Sequence, residues 1–475
     1  MSEPDQNERT ASAQRHSRVR RGRLGRRLDA TLVLAIVLPL VAAAALLATR
    51  PDAWSQESRS PTDAPLRSQT VVCPAPMSGD DGIGVTSSSE RESGQVEVAG
   101  SGASAGTADL SPGRVTDVSA GKGEVVLSAS GAVAPGLVAG RASSRPLAAT
   151  DCTPPVADQW FTGVAAGPAH NSSIELTNPN AGSAVIDVTV LAPNGVMSVP
   201  ELRGVAVPGH SSRSFELGKL IPRLGSLALH TTVVRGQVAV AVRDRSGQLA
   251  GSSGSEEWLP GQAAPSKRIL LLGFPDEGEA HTLTLANGGD SQVTATVKLV
   301  TPTSVLSPAD APSVQVPPET VKKVELQQLL DDKVADDAYG IEVDATGPIT
   351  AGLRTVSGGD LAVTAPGASL ATPAALVLPE GTDKRVALAG ATGVGAVTVV
   401  SRSAAGRELA SKRVAVKPQQ GAVVDVPAGA ALVEVRPERT AITASVLLTG
   451  HGAAVVPFRQ LVMRAEVPGV APGLR

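Results

Sequence analysis

The chain has 475 residues, with 42 Lys or Arg against 45 Asp or Glu and a formal net charge of −3. Aromatic residues make up 2% and cysteines number two, beside 49 glycines and 36 prolines. Such a length implies several domains. The slightly acidic balance argues against a nucleic-acid surface, and so few rings make an unpromising sugar-stacking lectin.

Residues 1–29 are polar and carry Arg15, Arg18, Arg20, Arg21, Arg23, Arg26 and Arg27. They predict a disordered tail drawn to anionic lipid headgroups. Ala30 to Thr49 follow without a charge. As a helix they span about 30 Å, enough to cross a bilayer once, and Pro39 is tolerated in a membrane helix. The basic flank keeps the N-terminus in the cytoplasm and places residues 50–475 outside. A cleaved signal peptide is the competing reading, but its apolar core is usually shorter and ends in small residues, whereas Arg50 follows here. Residues 50–68 are rich in Pro, Ser and charge and read as a tether, with Trp54 at the membrane interface.

Cys73 and Cys152 both lie beyond the span. In an oxidising compartment an even count reads first as one disulfide, whose loop would contribute about 4 kcal/mol in the chain-entropy model. Two unpaired buried thiols are the alternative.

From here on the chain repeats itself. IELTNPNAGSAVIDVTVLAP from Ile174 matches LTLANGGDSQVTATVKLVTP from Leu283 without a gap. Downstream, Phe215, Glu216 and Leu217 fall on Val324, Glu325 and Leu326, and again on Val424, Asp425 and Val426. A later segment recurs four times, from Gly131, Gly236, Gly347 and Thr440. Four units follow: a diverged one over 69–158 holding the disulfide, then 159–262, 267–372 and 373–475. Each consists of short Val, Ile, Leu, Thr and Ala runs alternating with period two between turn residues, the pattern of half-buried strands. In the recurring segment Val133, Val238, Ile349 and Ile442 share a face with Leu137, Val242, Leu353 and Val446. That face is predicted to be core. The fold class is all-β: tandem immunoglobulin-like β-sandwich repeats after one N-terminal transmembrane helix, with a β-propeller as the alternative. TVKKVELQQLLDDKVADD around 320–337 predicts one or two helical turns in a connection.

No catalytic constellation emerges along this scaffold. His170, His210, His230, His281 and His451 are scattered, and no HExxH, GxSxG or SxxK motif occurs. His210 follows a Pro-Gly turn and aligns with Glu319. The stretch Gly251–Glu257 reads as a linker, because it lacks the Lys and helix of a phosphate loop. Asp80, Asp81, Asp331, Asp332, Asp336 and Asp337 lack calcium-loop spacing and read as solvated turns. Glu216, Glu325 and Asp425 are expected to face solvent. No metal, cofactor or catalytic residue is assigned. Trp160 and Phe161, entering the second unit, and Trp258, before the third, are the candidates for an exposed interaction surface, but burial of Trp160 and Phe161 in the core is the favoured reading because large aromatics dominate burial.

The Arg-rich tail, the single anchor, Thr-Val-Val-Cys-Pro at Thr70 and the L-x-N, V-P-x-G and G-P-I-x-A elements of the units resemble an uncharacterised family of membrane-anchored actinobacterial envelope proteins. The resemblance covers most of residues 30–475. It implies an envelope location without an established activity, and a setting near glycosyltransferases hints at polysaccharide or cell-wall assembly. The sequence thus leads to a non-enzymatic, membrane-tethered scaffold holding an envelope protein or polysaccharide. A polysaccharide-binding module assisting a glycosyltransferase is the alternative, and a hydrolase with an unrecognised site a third. Four successive units on a stalk further predict a rod whose C-terminal unit stands far from the bilayer.

Overall fold

The computed structural model describes residues 30–48 and 62–467, the latter without 78–80, 89–91, 101–104, 120, 145, 248–253, 276–279, 310, 331–334 and 358. The tail 1–29, most of the tether with Trp54, and Asp80, Asp331 and Asp332 fall outside the described residues. The chain divides into two bodies, residues 1–62 with 468–475 and residues 63–467. In the first, Ala30–Ala48 is an uncharged helix containing Pro39, and its Leu34, Leu38, Leu40 and Leu46 are exposed. The side chains at 30–32 and 47 lie outside the described set. Among the described residues no helix is long and apolar enough to cross a membrane.

The second body is all-β and its sheets are antiparallel. Apart from a two-stranded ribbon of Thr62–Pro65 with Arg464–Val467, they come as four facing pairs, each around a core. In the first pair Ser68–Cys73, Val125–Ser130, Gly94–Ala99 and Gly106–Leu110 form one sheet, and Thr116–Val118, Asp81–Ser87, Leu137–Ser144 and Leu147–Asp151 the other. Alternation works as the sequence requires: Val96 and Val98 point inward while Gln95 and Glu97 face solvent. The second pair runs from strand Asp158–Val164 to Ser255–Leu259, the third from Ser266–Leu272 to Asp360–Thr364, and the fourth from Ser369–Leu370 to Gly452–Pro457. In the third, Gly340–Ser357 is one 18-residue strand. Its first part pairs with Ser266–Leu272 and Val293–Val300, and its second with Ala280–Asn287 and Asp360–Thr364, so both sheets share it.

The repeated segments take equivalent places. Val133 and Leu137, Val238 and Val242, Ile349 and Leu353, and Ile442 and Val446 each lie in one of the four cores. Glu216, Glu325 and Asp425 are exposed. Among the described residues the helical hint includes one turn, Gln327–Leu330, matching Leu217–Leu220 in the second pair. Cys73 and Cys152 form the disulfide, both fully buried.

The rod is not what the chain builds. Each pair of sheets ends in a strand added beside the recurring segment: Leu147–Asp151, Ser255–Leu259, Asp360–Thr364 and Gly452–Pro457. These four closing strands meet one another, first to second, second to third, third to fourth and fourth back to first. Their side chains pack into neighbouring units as well as their own: Leu147 and Ala149 lie in the fourth core and Leu361 and Val363 in the second, and Ser255–Leu259 is buried at every position. The sequence reading made Gly251–Glu257 a linker; Ser255, Glu256 and Glu257 instead sit in this strand because their neighbours cover it. Small side chains permit the approach: Ala148, Ala362, Ala453 and Ala454 are all buried. Beside the ring's seams, Gly140 and Gly352 have no room for a side chain, since a Cβ would lie 2.3 Å from Val377 O and 2.2 Å from Thr162 O. The ends also meet, with the Leu66 N–H donating to Met463 O at 3.2 Å. The fourth pair therefore packs against the first rather than standing away from it.

Candidate functional site

Because the four closing strands converge, the connections that leave them gather at one place. Residues 152–157, 260–265 and 365–368 join successive pairs, and Phe458 and Arg459 follow the last strand. Together they frame a cavity of about 700 Å³, with Pro154, Pro260, Pro366 and Pro457 in its wall. That size falls within the range of small-molecule sites. Proline suits the three connections because it fixes φ and leaves no N–H unsatisfied in a segment without a strand partner, and Pro457 ends its strand opposite Ser445.

The charged groups in the wall are mostly committed to one another. Arg459 Nε donates to Asp151 Oδ2 at 2.8 Å, and its Nη2 donates to Cys152 O at 3.0 Å. The end of the fourth pair is thereby pinned to the exit of the first. Burial pushes the Asp151 carboxyl up, and Arg459 only partly opposes it. Arg268 Nε donates to Glu342 Oε2 at 2.8 Å. Asp158 Oδ2 lies 2.7 Å from His230 Nε2, and the His230 ring stacks on Trp160 at 4.1 Å.

Below the cavity the closing strands are held by a polar clamp. Ser255 Oγ donates to Asp360 Oδ1, the Leu361 N–H donates to Ser255 Oγ at 2.9 Å, and the Ala453 N–H donates to Asp360 Oδ2 at 2.9 Å. Strands from the second, third and fourth pairs thus share one carboxylate. At the seam of the first and second pairs the Ala75 N–H lies 3.3 Å from both oxygens of Glu175. Burial, reinforced by the nearby Glu124 carboxylate, pushes Glu175 up to about 7 against the pull of Arg243 and Arg141. Glu257 is driven well above the usual range by burial, although the Trp258 N–H donates to it at 2.8 Å.

The aromatic candidates turn inward. Trp160, Phe161 and Trp258 are 6%, 1% and 3% exposed, so none offers an external platform. Phe161 belongs to the second core. Trp160 packs with Ala286 and Val321 across the seam to the third pair, and Trp258 with Met77 and Ala148 across the seam to the first. Their interfaces lie within the chain. His210 takes φ 50°, as Glu319 takes 54° and Gln419 61° at matching turns. These are left-handed turn residues.

His170, Ser172 and Asp244 do gather in one unit, but not as an activated nucleophile. Ser172 Oγ donates to Asp244 Oδ1 at 2.6 Å and accepts from the Ala165 N–H at 3.0 Å, while His170 Nε2 lies 2.8 Å from Asp244. A nucleophile needs its hydrogen bond to the base, and here serine and histidine both turn to the carboxylate. Among the described residues no group of three or more His, Cys, Asp or Glu is placed to hold a metal.

Asp151, Ser255, Asp360 and Arg459 were missed by sequence reasoning. The signal available was the proline at the exit of each closing strand, which no motif template weighs.

Fold and site together define an all-β protein of four paired-sheet units closed around their own connections. The chain belongs to a family of unknown function, DUF5719, whose model matches residues 112–427. No curated protein matches it. The matched span begins inside the first pair of sheets and ends inside the fourth, so it draws on all four.

Proposed function

We propose that this chain is a non-enzymatic, membrane-tethered scaffold of the cell envelope. It binds its partner, an envelope protein or polymer, in the cavity at the mouth of the ring. The observation that carries this reading is the cavity's construction from every connection between the four units. Binding residues are disproportionately placed on loops held by a rigid scaffold, and here the ring holds four such segments together.

Other observations support the address. The helix Ala30–Ala48 displays Leu34, Leu38 and Leu46 without a charge among them, and seven arginines precede it between residues 15 and 27, which favours an anchor with residues 62–467 outside. The disulfide suits an oxidising compartment. Within each unit we read an immunoglobulin-like sandwich. Successive strands alternate between two sheets: Ser68–Cys73 pairs with Val125–Ser130, while Asp81–Ser87, next in the chain, lies in the other sheet. Burial of Trp160, Phe161 and Trp258 weighs against the polysaccharide-binding alternative.

Photo-crosslinking in cells tests the site. A crosslinker at Ala263 or Ala368, both exposed in the cavity wall, is expected to trap a discrete adduct, whereas one at Val394, 79% exposed, is not. Equal trapping at Val394, or none from the cavity, sinks the reading. Resistance of the chain to alkaline extraction from membranes, lost when residues 1–49 are deleted, checks the anchor.

A further inference from the structure

The charged groups of the cavity wall are each met by a partner: Asp151 by Arg459, Arg268 by Glu342 and Asp158 by His230. Gln159 and Thr443 are different. Both line the cavity and are 9% and 5% exposed. Thr231 meets only the backbone oxygen of Gln159, and neither side chain has a hydrogen-bond partner among the described residues, although neither is sealed from water. Wall glycines make way for both tips: Gln159 Nε2 lies where a Cβ at Gly261 would stand, and Thr443 Oγ1 lies 3.7 Å from where one at Gly390 would. Around them are Pro154, Pro260 and Pro366 with Val156, Ala263 and Ala368, the last three exposed.

We infer that the cavity takes an uncharged segment of peptide, one of whose backbone amides pairs with Gln159 and Thr443 while its small apolar side chains rest on the proline and alanine walls. The inference rests on reading the cavity as the recognition site. A carboxamide holds one acceptor oxygen and two N–H donors, and a hydroxyl both donates and accepts. Left unpaired beneath a ligand, such groups cost free energy. The occupant must therefore bring donor and acceptor together, and a peptide unit carries one of each. A charged ligand lacks one of the two, since a carboxylate only accepts and an ammonium only donates. An N-acetylated sugar carries the same amide, but Phe458, the ring in the wall, is 1% exposed and offers it no face to stack on.

The full chain in neutral detergent is titrated with N-methylhexanamide, methyl hexanoate, N-acetyl-tetraalanine amide and N-acetylglucosamine. The secondary amide is expected to bind about tenfold more tightly than the ester, which has the same shape without the N–H and leaves a buried acceptor unpaired. The blocked peptide is expected to bind, and the sugar is not. Gln159→Leu should bring the affinities of amide and ester together while the ester still binds, a change of preference that damage to the fold does not produce. Thr443→Val should narrow the difference in the same sense. A preference that both substitutions leave intact overturns the inference, as does sugar binding ahead of the peptide. If amide and ester bind the intact chain alike, the amide assignment fails and the cavity stands. If no probe binds, the inference fails, and the reading of the cavity fails with it only if Ala263 also traps nothing.

Discussion

At the scale of single residues, the positions that matter most are those where two units touch. Gly352 faces Thr162 O across the seam of the second and third pairs, and a Cβ there would lie 2.2 Å from it. Gly352→Ala is therefore expected to cost about 1–3 kcal/mol by overpacking. Gly182→Ala, where a Cβ meets nothing within 4 Å, should change little, and denaturant midpoints compare the two. Glu175 gives a pH signature. Its folded value of about 7 lies above the ordinary 4.5, so the folded state holds a proton that the unfolded state has lost. Its stabilising contribution is full below about pH 4.5 and disappears as pH rises through about 7. Stability should fall by roughly 3 kcal/mol from this group between those limits, and Glu175→Gln should flatten the curve. Asp151 and Glu257, also raised by burial, act in the same direction. A wild-type curve as flat as that of the variant would refute the assignment. The sequence showed that His210 and Glu319 stand in matching turns, because turn chemistry is local. It placed Trp160 and Trp258 among surface candidates because nothing in one unit's alternation reveals which outer face another unit will cover.

Elements were the most legible scale. The period-two pattern located the core faces of the recurring segment, and register confirms the alignment of units. Asn178 pairs with Ser211 and Asn287 with Thr320 on equivalent strands. Both asparagines do the same work. Asn178 Nδ2 donates to Gly182 O and Val207 O while its Oδ1 accepts from the Asn180 N–H. Asn287 Nδ2 donates to Ser291 O and Val316 O while its Oδ1 accepts from the Gly289 N–H. The L-x-N element is thus a hairpin pin, buried and fully bonded, rather than a binding motif. In the fourth pair the equivalent place is held by Gly390 at φ 71°, where the turn itself supplies the bend. Asn287→Ala leaves buried carbonyls and an N–H without partners. A loss of about 2–3 kcal/mol is expected, visible as a lowered denaturant midpoint; Gly289→Ala alone should not reproduce it. What the pattern did not yield was the closing strand. Leu147–Asp151 and Asp360–Thr364 are short, and Ser255–Leu259 begins with Ser-Glu-Glu, a start that alternation assigns to solvent.

For residues 63–467 as a whole, rod and ring make opposite predictions. In a rod of nearest neighbours, stability is close to a sum over units and adjoining interfaces, so removal of the last unit leaves the others standing. In the ring, the fourth pair covers both of its neighbours. Gly452–Pro457 lies against Leu147–Asp151 on one side and Asp360–Thr364 on the other. Asp360 loses the Ala453 N–H if the fourth pair goes, and Asp151 loses Arg459. Ala362, now packed with Leu447, Ala453 and Val455, would face water, as would the outer side of a closing strand with unpaired edge groups. An apolar strand edge of that kind is a template for aggregation. Ending the chain after Ala365 is therefore expected to yield protease-sensitive, self-associating material rather than three folded pairs of sheets, even though each remaining pair keeps its own core. Limited proteolysis and size-exclusion chromatography of the truncated chain decide the matter. A monodisperse product with the protease resistance of the intact chain would mean that the units stand alone and that ring closure contributes little to their stability. The cavity would then lose its frame, since it is the closure of the ring that brings the connections around it together.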